Sequence, residues 1–347
     1  MAEKPSGSGT KRGVTATDVA KRLGVSQSAV SRAFTKGSSI SPKLRAKILT
    51  ASEELGYRPN QIARSLISGR SNIIGVGVGD LKNPFYAEAL DLLSCELENA
   101  GHRLLLFPVG RDDLPEAGID DVLRYNVDAL VFLSVTLTSN LATQCKRAKV
   151  PVVLFNRVSS DPEISSVVGD NELGGRSIGA YLHAIGHKRF GMIAGIPESS
   201  TSRERAAGFC NFFSDVGLPV PAMAVGNYSY KDATAAARSL LLNPDRPDAI
   251  FCANDHMAFA AINLARFELG LDVGGDLSIV GFDNIEMAKW APYSLTTYEQ
   301  DTHTMIRQTV DIVQELAEDP SLVRKEIVHG KLIIRGSTKS PKAAKPA

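Results

Sequence analysis

A chain of 347 residues, 44% hydrophobic and 22% charged, is longer than one small domain and suits a short module followed by a body of about 250–280 residues. Its net charge of +1 hides an asymmetry: residues 1–70 carry 13 Lys/Arg against four acids, whereas the remainder carries 26 basic and 34 acidic residues. A front of +9 on a body of −8 points to a polyanionic partner for the front and excludes an evenly neutral surface.

In chain order, Met1–Gly13 is polar and basic with no apolar signal core, and reads as a loose tail over 1–13. Thr15-Ala-Thr-Asp18 predicts a helix start, and Gly24 its stop. Ser26 caps a second helix, Gln27 to about Phe34, and Ser41-Pro42 opens a third carrying Leu44, Ile48, Ala51 and Leu55 inward. Ala20 as the small contact residue, Gly24 as the turn and Val30 as the anchor give the spacing of a helix-turn-helix over 14–59. Asn60 can cap a short hinge helix, Gln61–Ile67, within a linker over 60–71 that cannot hold a helix in water alone.

From Asn72 onward short apolar runs alternate with helical stretches, as in Ile73–Gly79, Arg103–Val109, Ala129–Val135, Phe190–Gly195 and Ala249–Ala253. That texture predicts parallel strands covered on both faces. The series pauses in an irregular stretch, 156–170, and restarts, so the expected body over 72–337 has two similar α/β lobes. The first is placed at about 72–169 and 300–325, the second at about 170–298 and 326–337, with a disordered tail over 338–347. Cys95, Cys145, Cys210 and Cys252 form no CxxC and are expected to be reduced, buried thiols. No apolar run approaches the roughly 18–20 residues of a membrane span, so the expected location is cytoplasmic, with no membrane partner. The six histidines show no metal spacing, and GxSxG, HExxH, GxGxxG and phosphate-loop motifs are missing from the sequence. No metal, cofactor or enzymatic activity is therefore expected.

Val14–Arg32, Glu54-Leu-Gly-Tyr-Arg-Pro-Asn60, Ala63-Arg-Ser-Leu66, Asn83-Pro-Phe85, Gly186–Phe190, Ala253-Asn-Asp255, Val280-Gly-Phe-Asp283 and Leu295-Thr-Thr297 together resemble the LacI/GalR repressors over roughly residues 14–336. The resemblance implies a homodimer on double-stranded operator DNA: an all-α helix-turn-helix, a hinge helix, and a two-lobed α/β effector domain like the periplasmic binding proteins. Gln27 and Ser28 fall where the recognition helix reads base edges, and Arg32 at a third contact. Gln suits adenine, Arg guanine, and Ser either. Thr15, Ser26, Ser31 and Asn60 count with the DNA-binding residues as caps or phosphate contacts. Leu66 beside Ala63 would be the hinge wedge in the minor groove.

The resemblance also implies an effector cleft built from Asn156, Arg205, Asn254 and Asp283 with Tyr228 stacking. Arg157 and Asp255 are adjacent candidates, and Asn83 and Phe85 close the cleft from the first lobe. Such groups suit a sugar or sugar-like ligand, and Arg157 with Arg205 could also receive a carboxylate or phosphate. Other readings stay open: Asp255 as a helix cap, Asn156-Arg157 as a solvated loop, Arg205 in a surface ion pair, or a constitutive DNA-binding regulator with a degenerate cleft.

Overall fold

The computed structural model describes residues 14–35, 37–58, 70–109, 118–135 and 139–339, and its contacts divide the chain into a unit ending at Ser71 and one beginning at Asn72. The expected hinge helix with Asn60, Ala63 and Leu66, and the tail over 1–13, lie outside the described residues.

In the first unit, α1 (Ala16–Leu23), α2 (Gln27–Ala33) and α3 (Pro42–Leu55) pack around Val19, Ala20, Val30, Ala33 and Ile48, all buried. Each start is fixed chemically. The Thr15 amide and hydroxyl both donate to Asp18 Oδ2, at 2.9 and 2.7 Å; Ser26 Oγ accepts from the Ala29 amide at 3.2 Å; Ser41 Oγ accepts from the Leu44 amide at 3.3 Å. Each cap is worth on the order of 1 kcal/mol. Gly24 ends α1 at φ +66°, a left-handed conformation glycine adopts without penalty, and only Val25 and Ser26 separate it from α2.

The second unit contains two sheets with one repeated order. The first runs β2 (Arg103–Pro108), β1 (Ile73–Val78), β3 (Ala129–Leu133), β4 (Val152–Phe155), β5 (Ser165–Gly169), β11 (Lys325–Val328). The second runs β7 (Ala222–Val225), β6 (Phe190–Ala194), β8 (Ala249–Cys252), β9 (Ser278–Asp283), β10 (Thr296–Glu299), β12 (Lys331–Ile333). Pairing is parallel throughout except β12 against β10. Central strands β3 and β8 are buried at every residue, as sheets covered on both faces require. The helices that matter for the site are α4 (Pro84–Asn99), α7 (Asn171–Ala184), α8 (Ser200–Asp215), α10 (Asp255–Asn263) and α11 (Thr302–Glu318); α5 (Gly118–Leu123), α6 (Ser139–Ala148) and α9 (Tyr230–Leu241) complete the set among the described residues.

Four expectations need correction. The irregular stretch 156–170 contains β5, whose Ser165 and Ser166 look loop-like in sequence. Both are buried, and Ser165 Oγ accepts from the Arg324 amide at 3.1 Å while the Ser166 amide is taken by the Arg324 carbonyl. Strand β11 belongs to the first sheet, so the chain returns to the second lobe at β12 and not at 326. Residue 338, expected in the C-terminal tail, is packed into the fold: Thr338 is buried, with its hydroxyl 2.8 Å from that of Tyr181 and 3.0 Å from that of Thr296. Of the four thiols, Cys145 and Cys252 are buried, Cys95 is exposed and Cys210 is half-exposed.

Candidate functional sites: a helical DNA-reading face and a two-lobe cleft

On α2 the buried positions are Ala29, Val30 and Ala33, while Gln27, Ser28, Ser31 and Arg32 are exposed. Positions i, i+1, i+4 and i+5 share one helical face, so four polar side chains stand together on the side away from the core. Ser26 and Ser28 hydroxyls are 2.9 Å apart, and Arg32 Nε donates to the Ser28 carbonyl at 3.3 Å, which holds the guanidinium along the helix. Thr15 is occupied by its cap. Sequence reasoning missed Arg45, which donates at 2.9 Å to both the Thr35 carbonyl and Ser38 Oγ and so braces the segment that follows α2.

In the second unit, a small cleft opens where the C-terminal ends of strands from both sheets face each other, the location expected for ligands in open parallel sheets. Asn83, Asn156, Arg157, Arg205, Tyr228, Asn254 and Asp283 all line it. Asp80, Tyr86, Ser134, Ile196, Thr201 and Asn227 line it too and were not singled out from sequence. Several wall residues hold positive φ: Ser134 +62°, Asn156 +57°, Asn227 +51°, Tyr228 +57° and Asp283 +119°. Sharp reversals of this kind at strand ends aim side chains into the gap, and backbone strain of about 1–3 kcal/mol per residue is characteristic of binding sites.

Arg205 is the most constrained group. Its Nε donates to Asn171 Oδ1 at 2.8 Å and its Nη1 to the Ala253 carbonyl at 2.6 Å. The guanidinium carbon sits 3.7 Å from the centroid of the Phe282 ring, and Nη1 lies 3.4 Å from Asp283 Oδ1. Asp283 Oδ1 also accepts from Gln300 Nε2 at 2.7 Å, yet burial outweighs both partners and pushes its pKa up to about 6. Arg157 Nη1 donates to the Asn156 carbonyl at 2.7 Å, Thr201 Oγ1 at 3.0 Å and the Tyr86 hydroxyl at 3.1 Å. Burial works against its charge, but Tyr86, Tyr228 and Asp283 together hold its pKa above the usual arginine value. Neither arginine is a surface group, and Asn156-Arg157 is not a solvated loop: all three residues are at most 4% exposed.

Two expected cleft residues are elsewhere. Phe85, in the first turn of α4, is buried in the core, its ring 5.2 Å from that of Tyr86 and 6.2 Å from that of Phe155, so it supports the wall without forming it. Asp255 is fully buried behind the cleft, where Oδ1 accepts from Thr297 Oγ1 at 2.6 Å and Oδ2 from the Ile285 amide at 3.0 Å. Burial, and next the neighbouring Asp283, raise its pKa well above the carboxylate range. The α10 cap is instead Asn254, whose Oδ1 accepts from the Met257 amide at 2.9 Å.

Comparison with known proteins matches residues 15–60 to the profile of bacterial regulatory proteins of the lacI family, and residues 180–338 to a periplasmic binding protein-like domain. The HTH-type transcriptional repressor PurR of Photobacterium profundum is 30% identical over 94% of this chain and 98% of its own length. The chain belongs to the lacI family. This lacI-family regulator is also 32% identical to catabolite control protein A of Priestia megaterium, over 83% of this chain and 87% of that protein. Among solved structures it superposes on the lac repressor dimer bound to operator and the anti-inducer ONPF with a TM-score of 0.84, at 28% identity over 95% of this chain and all of that one. The transcriptional regulator CelR in complex with cellobiose gives a TM-score of 0.72 at 27% identity, over 93% of this chain and 99% of that one. The lacI-family regulator is thus a helix-turn-helix module joined to a two-lobed α/β domain. No helix among the described residues is long and apolar enough to cross a membrane.

Proposed function

We propose that the protein is a cytoplasmic, non-enzymatic repressor that binds operator DNA as a homodimer and changes affinity when a sugar-like ligand enters the two-lobe cleft. The observation that carries this reading is the cleft wall itself: Arg205, Asn254 and Asp283 from the second lobe face Asn83, Asn156 and Arg157 from the first. A ligand bridging them has different contacts in open and closed lobe arrangements, which any ligand-driven shift requires. That formed, polar wall favours effector control over a constitutive regulator.

Gln27, Ser28 and Arg32 would read base edges, with Thr15, Ser26, Ser31 and Asn60 positioning the module on phosphates or as caps and Ala63 and Leu66 entering the minor groove. The lac repressor dimer on operator DNA and the sugar complex of CelR support the dimer, the DNA and the ligand class. Asn83, Asn156, Arg157, Arg205, Tyr228, Asn254 and Asp283 would hold the effector.

The test pairs operators selected from random DNA with ligands found by thermal shift, read by fluorescence anisotropy. Ligand should move operator affinity in the wild type, and Asp283→Ala should need at least roughly tenfold more ligand. Unchanged DNA binding after deletion of residues 1–60, or an equal ligand response in Asp283→Ala, overturns the proposal.

A further inference from the structure

Arg157 carries its charge into the cleft wall with only 4% of the residue exposed, and every acceptor it meets is neutral. Its Nη1 is met by the Tyr86 and Thr201 hydroxyls and a peptide carbonyl, and Nη2 lies 3.5 Å from the Ser134 hydroxyl. Among the described residues no carboxylate comes within ion-pair distance of it. Two acids share the cleft wall and both have other partners. Asp283 Oδ1 is bonded by Gln300 and Arg205, and Asp80 Oδ1 accepts from the Lys82 amide at 2.8 Å. Asp283 acts on Arg157 only at longer range, so this buried cation has no direct ion-pair partner, an arrangement that favours an added anion.

The remaining wall chemistry is also short of acceptors. Arg157 Nε, Arg205 Nη2 and Asn254 Nδ2 are buried donors with no partner in the protein, against the single unpartnered acceptor Asn156 Oδ1. Three helices begin at this cleft: α4 at Asn83, α8 just before Thr201, and α10 at Asn254. Their positive ends add to the same field. Arg205 is held by Asn171, the Ala253 carbonyl and the Phe282 face, so it has one nitrogen to offer. Arg157 is held on Nη1 and Nη2 mainly by hydroxyls, which can turn and donate elsewhere. Its fork therefore becomes available when a better acceptor arrives.

We propose that the effector carries an anionic group, a carboxylate or phosphate on a hydroxylated skeleton, and that Arg157 is the receptor for it. This rests on the reading of the cleft as the effector site and narrows its ligand class. A bidentate oxyanion satisfies Arg157 in a way that a neutral hydroxyl does not. A neutral sugar would leave the guanidinium as unpaired as it is now.

The experiment is thermal-shift titration of the full chain at matched ionic strength with D-gluconate, D-glucuronate and glucose 6-phosphate, each against D-glucose and sorbitol. At least one acid is expected to raise Tm saturably and to bind about tenfold tighter than its neutral counterparts. Arg157→Gln should erase that preference, weakening the acid by about tenfold more than the neutral compounds, and Arg157→Lys should retain part of it, since the charge stays and the fork is lost. The acid that binds identifies carboxylate or phosphate as the group. Neutral compounds binding as tightly as the acids, equal weakening of both by Arg157→Gln, or no saturable shift with any acid at tens of millimolar each overturns the proposal. Acid binding that is untouched by Arg205→Ala and by Asp283→Ala places the ligand outside the cleft and sinks the effector-site reading itself.

Discussion

Arg157 Nη1 lies 3.0 Å from Thr201 Oγ1, a hydrogen bond that ties the end of β4 in the first lobe to the start of α8 in the second. A parallel bond from the Val158 amide to Ser200 Oγ at 3.2 Å runs beside it, and Thr201 Oγ1 is also 3.0 Å from the Tyr228 hydroxyl. The two lobes are thus joined across the cleft by side chains that also form its wall. Thr201→Val keeps the shape and removes the acceptor. Arg157 Nη1 keeps two other acceptors and the Tyr228 hydroxyl loses its contact with Thr201, so the variant should lose about 1 kcal/mol, the net worth of an ordinary hydrogen bond, in urea unfolding. A loss under about 0.5 kcal/mol, the scatter of ordinary surface changes, would mean that the bond contributes nothing to lobe closure.

The exposed face of α2 makes a separable prediction about DNA. Gln27→Ala should relax base choice at one operator position by about 1–3 kcal/mol, whereas Lys43→Ala should weaken all sequences alike and reduce the salt slope by about one. Binding to selected and scrambled duplexes across a salt series distinguishes these. If Gln27→Ala weakened both duplexes equally, Gln27 would be a backbone contact and not a base reader.

The helix-turn-helix was legible in sequence because caps are local: Thr15, Ser26, Ser41 and Gly24 act within three or four residues of their partners. The alternation of strands and helices was legible for a similar reason, since parallel strands such as Val152–Phe155 are short apolar runs. What stayed hidden depends on distant pairing. Ser165 and Ser166 read as loop until Arg324 supplies their partners from 159 residues away. Asp255 looked like a cleft acid because it follows Asn254, yet its neighbour is the cap and Asp255 points to Thr297 and Ile285. Thr201, Tyr86 and Ser134 carry no motif. Their role follows from where the two lobes meet.

Arg205 depends on a close helix crossing that makes another prediction. A Cβ added at Gly208 would overlap the Glu172 carbonyl, and one at Gly175 would overlap the Arg205 carbonyl. Both α7 and α8 must therefore carry glycine where they touch. Gly208→Ala should destabilise the second unit by about 1–3 kcal/mol, as overpacking does, and shift α8 so that Arg205 leaves the Phe282 face. Chemical denaturation and effector titration together test this. Wild-type stability would show that the crossing tolerates a methyl group and does not position Arg205.

The last prediction concerns Asp283, whose folded pKa of about 6 lies above the value of about 3.9 expected when unfolded. Burial favours its protonated form, so the sign is that of a raised acid. Its contribution to stability is complete below about pH 3.9 and is lost as pH rises through about 6. Asp283→Asn keeps an acceptor for Arg205 and Gln300 but does not titrate. The stability of the wild type relative to Asp283→Asn should therefore fall between about pH 4 and pH 7, by about 1–3 kcal/mol given roughly 1.4 kcal/mol for each pKa unit. Urea midpoints for both proteins at several pH values across that window measure the gap directly. A constant gap would mean that Asp283 does not change its proton on unfolding. A gap that widened with pH would mean that the Arg205 guanidinium, 3.4 Å away, dominates over burial and holds the carboxylate ionised.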